Sequence, residues 1–107
     1  MLTELSIIPV GEGPHISEQI AIALKFVAAS GLPYQLTPSG TCIEGEWDQV
    51  MSVIRQCHER VRSLSPHVVT LIKIEEDGGE PNKLTRNVTS VQEKVSRPLN
   101  TTHQGAR

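Results

Sequence analysis

Apolar side chains recur at helical spacing in three stretches of the chain, and four others have the pattern or composition of strands, in the order strand, helix, strand, strand, helix, strand, helix. Residues 3–10 read as a half-buried strand with Leu5 and Ile7 on one face and Glu4, Ser6 and Ile8 on the other; Pro9 marks a strand end or an edge. Gly11-Glu12-Gly13-Pro14 is a loop by composition. Ile16, Ile20, Ala23, Leu24 and Val27 then share a helical face, predicting a helix over residues 16–30 that Gly31 stops. Residues 32–37 and 41–44 read as strands joined through Pro38-Ser39-Gly40, a tight reversal and therefore a hairpin. From Trp47 onward, Val50, Met51, Ile54, Cys57, Val61 and Leu64 form one helical stripe closed by Pro66, with Asp48 at the positive end of the helix dipole and Arg60 and Arg62 toward the negative end. Residues 68–74, rich in β-branched side chains and apolar on both faces, predict a central strand. After the turn-rich run Asp77-Gly78-Gly79-Glu80-Pro81-Asn82, the spacing of Leu84, Val88, Val91 and Val95 predicts a third helix. Its threonine, asparagine and valine content demands tertiary or intersubunit packing to hold it.

The order β-α-β-β-α-β followed by a helix is the split βαβ arrangement of an α+β ferredoxin-like sandwich, in which two helices cover one face of a four-stranded antiparallel sheet. The second face then needs cover. Ser6 and Ile8 on the first strand, and either Thr70 and Ile72 or Val69 and Leu71 on the last, cannot all point at the helices, so an oligomer interface is expected there. With 107 residues the chain has room for one domain, expected over residues 1–97, with a polar, aperiodic tail over residues 98–107 expected to be disordered.

Charge and composition narrow the function classes. A net charge of −2 gives no polyanion-binding field, and aromatic residues at 3% leave few stacking platforms, so nucleic acid is not an expected partner. The first residues lack the basic and long apolar regions of a secretory signal, and no apolar run approaches the ~20 residues of a membrane helix. A cytoplasmic protein without membrane association is the expectation, with Cys42 and Cys57 as free buried thiols.

Most candidate chemistry has a plainer structural reading. His15, His58, His67 and His103 have no metal-ligand spacing and read as surface or capping groups, so no metal is expected. Ser6, Ser39 and Cys42 lie outside any nucleophile motif. The loop at residues 11–14 reads as a turn rather than an anion cradle, because Glu12 repels an anion. Glu75-Glu76-Asp77 reads as a solvated strand end rather than a cation site. Tyr34 and Glu44 stand apart from these. On neighbouring strands of the hairpin, an aromatic ring and a carboxylate with hydroxyls from Thr41, Thr37 or Ser39 suit a small planar cationic heterocycle. The alternative is that Tyr34 fills an interface and Glu44 caps the helix that opens at Trp47.

Four segments carry a resemblance: residues 4–11, Gly31-Leu32-Pro33-Tyr34-Gln35-Leu36-Thr37, Gly40-Thr41-Cys42-Ile43-Glu44-Gly45-Glu46-Trp47-Asp48, and Val88-Thr89-Ser90-Val91. Together, over about residues 2–95, the chain resembles the small thiamine-binding protein family, long treated as uncharacterised. The resemblance implies a ferredoxin-like homodimer or homotetramer, assembled through sheet edges and faces, that binds thiamine or its hydroxymethylpyrimidine part as a ligand rather than a cofactor and without turnover. Carried onto this chain, the implied ligand positions are Ser6, Pro9, Tyr34, Thr41 and Glu44. The chain departs from the family at Glu75-Glu76-Asp77-Gly78-Gly79, where relatives commonly carry an aspartate pair followed by arginine, and in a third helix with less lysine. Two other classes stand beside this one: an interaction or assembly protein with no small ligand, and a small cofactor-free enzyme on the same fold.

Overall fold

The computed structural model describes residues 1–13, 16–79, 81–95 and 97–101; His15, His103 and residues 102–107 of the expected tail lie outside them. The elements follow in the expected order: β1 (Leu2–Pro9), α1 (Ile16–Ala29), β2 (Tyr34–Thr37), β3 (Gly40–Glu44), α2 (Trp47–Leu64), β4 (Val68–Glu75) and α3 (Lys83–Lys94). The four strands form one antiparallel sheet in the order β2-β3-β1-β4, the ferredoxin-like arrangement.

Alternation in β1 sets the two faces of that sheet. Thr3, Leu5, Ile7 and Pro9 are buried toward α1 and α2, whereas Leu2, Glu4, Ser6 and Ile8 point the other way. Leu5, Ile7 and Ile43 from the sheet meet Ala23 and Val27 of α1 and the stripe Val50, Val53, Ile54, Cys57 and Val61 of α2, making the core. Pro38 and Ser39 form the two-residue tip of the hairpin, fastened by Thr37 Oγ1 donating to Gly40 O (2.8 Å) and by Ser6 Oγ donating to Ser39 O (3.0 Å).

Two expectations change. β4 is an edge strand, and the two inner strands are β3 and β1, the latter flanked by β3 and β4 despite Pro9. Pro9 is tolerated because it closes the strand, opposite Val68. The apolar residues on both faces of β4 therefore do not reflect a central position; Val69, Leu71, Ile72 and Ile74 are all exposed. The face away from α1 and α2 is also not fully bare. The amino end of α3 docks on it through Glu44, and Thr101 reaches it, Gln35 Nε2 donating to Thr101 O at 3.4 Å. Even so, α3 buries no residue, and Val88, Val91 and Val95 stand exposed along one stripe.

Candidate functional site

The carboxyl end of β3 is the focus of the sheet's lower rim. Glu44 lies in register with Leu2, on the face opposite α1 and α2, and its backbone amide donates to Pro33 O at 2.9 Å. Glu44 as a whole is only 9% exposed. Oε2 accepts from the Lys83 amide at 2.7 Å and Oε1 from the Leu84 amide at 3.1 Å, so the two oxygens cap the first two amides of α3. Asn82, at φ 68°, turns the chain into that helix. Glu44 is thus a helix cap, but of α3 and not of the Trp47 helix. At the latter, Glu46 is the N-cap residue and its amide donates to Gln49 Oε1 at 3.1 Å.

These groups line a cavity of about 480 Å3, within the range of small-molecule sites. Its walls come from the start of β1 (Met1), the entry to β2 (Leu32, Pro33), the β3–α2 junction (Glu44, Gly45, Glu46, Gln49) and the β4–α3 connection (Glu76, Asp77, Gly79, Pro81, Asn82, Lys83). The amino ends of α2 and α3 converge on it, bringing partial positive charge to a lining that carries four carboxylates and one side-chain ammonium. Lys83 Nζ lies 2.9 Å from Asp77 Oδ2 and 3.7 Å from Glu75 Oε2. That hydrogen bond, with the Gly79 amide donating to Asp77 Oδ1 at 2.8 Å, holds the Asp77 carboxyl below its usual range, and the Asp77 partner raises the Lys83 ammonium above its own.

The other positions expected to hold a ligand do not join Glu44. Tyr34 pairs with Ile43, which places its ring on the α1/α2 side of the sheet, opposite the Glu44 side chain, at the β2 edge and 47% exposed. A ring and a carboxylate on opposite faces cannot enclose one ligand within a single chain, so a cleft holding both Tyr34 and Glu44 would need a second subunit. Thr41 is buried beside Leu5 on the same side as Tyr34, and Pro9 is buried at the far end of β1. Ser6 shares the face of Glu44 but is spent on the hairpin tip. Conversely, Glu46, Gln49, Asp77 and Lys83 line the cavity without any sequence motif to mark them, and the acidic run at residues 75–77 is the one sequence signal beside it. Among the described histidines, His58 Nδ1 lies 2.6 Å from Thr70 Oγ1 and His67 is exposed. Among the described residues no group of three or more His, Cys, Asp or Glu could hold a metal ion, and no helix is long and apolar enough to cross a membrane.

Comparison with known proteins agrees with this architecture. The sequence profile described as "Thiamine-binding protein" matches residues 3–92, and the chain belongs to that family. A UPF0045 protein of Mycobacterium tuberculosis is 33% identical over 99 residues, covering 92% of this chain and 97% of the relative. A UPF0045 protein of Synechocystis is 29% identical over 93 residues, covering 86% and 77%. Among solved structures, a hypothetical protein from Methanocaldococcus jannaschii superposes with a TM-score of 0.80 at 27% identity, covering 86% of this chain and 95% of its own. A Thermotoga maritima protein, described as a candidate thiamine biosynthesis/salvage protein, superposes at 0.71 with 20% identity, covering 82% and 96%, and shows the shared fold.

Proposed function

We propose that this protein binds thiamine or a related hydroxymethylpyrimidine, without chemical turnover, as a cytoplasmic homo-oligomer, and that the cavity at the end of β3 is the ligand site. The observation that carries the reading is the cavity's lining, in a chain of the thiamine-binding family. Glu46, Glu76 and Asp77 offset the positive charge of a thiazolium ring, the amides of Gln49 and Asn82 offer donors and acceptors to an aminopyrimidine, and Leu32, Pro33 and Pro81 supply apolar surface for a flat heterocycle. Glu44 acts from the wall by fixing the helix that carries Lys83.

Assembly is supported by what a lone chain leaves uncovered. The Val10 amide donates to His67 O, which sets the phase of the β1–β4 ladder: the backbone groups of Val68, Thr70, Ile72 and Ile74 face outward along an unpaired, apolar edge. The same exposure favours the second reading, an assembly protein with no small ligand. Amide shift mapping with thiamine separates the two: shifts at Gly45, Asp77, Gly79 and Asn82 with thiamine recovered unchanged support the proposal, whereas shifts confined to Tyr34 and Leu36, or none, contradict it.

A further inference from the structure

Lys83 is in an unusual position for a lysine near a site that takes a cation. Its side chain is only 17% exposed, and its ammonium is paired with the lining residue Asp77 (2.9 Å) and with Glu75 outside the lining (3.7 Å), both acid side chains being about half-exposed. The helix does not depend on that ammonium, because the Lys83 backbone amide, not its side chain, supplies the bond to Glu44. The side chain therefore does something separate from capping. We infer that Lys83 is the specificity-determining residue of the cavity, its ammonium an intramolecular cation that an organic cation must displace from Asp77 in order to bind.

The consequence is selection by subtraction. A small alkylammonium offers Asp77 no more than Lys83 already does, so it gains little on entry; a cationic heterocycle also gains apolar contact with Leu32, Pro33 and Pro81 and hydrogen bonds from the neighbouring amides. Discrimination between cations then comes from a competitor built into the chain as much as from contacts to the ligand. This inference rests on the cavity being the ligand site, and its test is arranged so that the two fail separately.

The test compares wild type with Lys83→Met and Lys83→Arg, using thiamine and, as a chemically unrelated cation, benzyltrimethylammonium, each followed by the amide shifts of Asp77, Gly79 and Asn82. Hydrogen exchange at the amides of residues 83 and 84 verifies that α3 remains capped; Lys83→Gln replaces the methionine variant where it does not. The expected result is that Lys83→Met binds both cations about two- to fivefold more tightly, while Lys83→Arg stays near wild type. Tighter binding of benzyltrimethylammonium by Lys83→Met with no thiamine binding in any variant upholds the role of Lys83 and overturns the thiamine reading. No gain with either cation overturns the inference. Weaker binding of thiamine phosphate by Lys83→Met, with thiamine itself unchanged, also overturns it, because Lys83 would then be an anion contact.

Discussion

The side chain of Glu44 and the backbone of Lys83, 39 residues apart, meet at 2.7 Å, and with the neighbouring Leu84 amide this contact fastens α3 to the sheet. α3 buries no residue of its own, and this carboxylate anchors its first turn together with the Lys83 ion pair to Asp77. Hydrogen bonds to a charged group contribute about 1.5–3 kcal/mol. Glu44→Ala should therefore lower the opening free energy of α3 by about 2 kcal/mol, measured as faster hydrogen exchange at its amides, with the core of α1, α2 and the sheet unchanged. Glu44→Gln should show most of the same effect, since its NH2 group faces an amide donor, and should weaken thiamine binding without unfolding the protein.

Gly40 is required by its neighbours. A Cβ there would stand 2.9 Å from Leu5 O and 3.0 Å from Ser6 Oγ, and the first is backbone that cannot swing away. Gly40→Ala should cost about 1–3 kcal/mol, read as a lower urea midpoint with an unchanged m-value.

Much of the fold was legible because burial and period agree. The alternation of Leu5 and Ile7 against Glu4, Ser6 and Ile8 gave both faces of β1, and the Val50–Val61 stripe gave the inner side of α2. Strand order was not legible in β4, because an apolar edge strand has the same composition as a central one. Side-chain parity across the hairpin was the part of the candidate site that could not be read. Neighbouring strands were enough to bring Tyr34 and Glu44 near one another, but the register pairing Tyr34 with Ile43 puts their side chains on opposite faces. The cap on α3 was beyond reach for a different reason: nothing local to Glu44 or Lys83 announces a contact across 39 residues.

The two thiols should differ in reactivity and in their effect on stability. Burial pushes Cys57 up to about 11 from 9.0, with its Sγ donating to Ala23 O, while Cys42 is half-buried and raised by burial and by Glu4 beside it. A thiol-disulfide reagent at pH 8 should label Cys42 first and Cys57 only on unfolding. A native value above the unfolded one favours folding fully below pH 9 and less as pH rises from 9 to 11, so urea midpoints should fall across that window and fall less in Cys57→Ala.

The outward-facing amide of Ile72 offers a clean test of assembly. Ile72→Pro removes a donor from the free edge of β4 without removing a β1–β4 bond, and Val91→Glu places a charge on the exposed stripe of α3. Each should shift the protein toward monomer in sedimentation equilibrium while leaving far-ultraviolet circular dichroism unchanged.

Calorimetric titration of the purified protein with thiamine tests the central claim most directly. Saturable heat, with a whole-number ratio of ligand to subunits or subunit pairs and loss of affinity in Asp77→Asn, is the predicted result. Absence of heat and of any stabilisation by thiamine would contradict the ligand-binding account and leave a protein whose acidic cavity serves only to anchor α3.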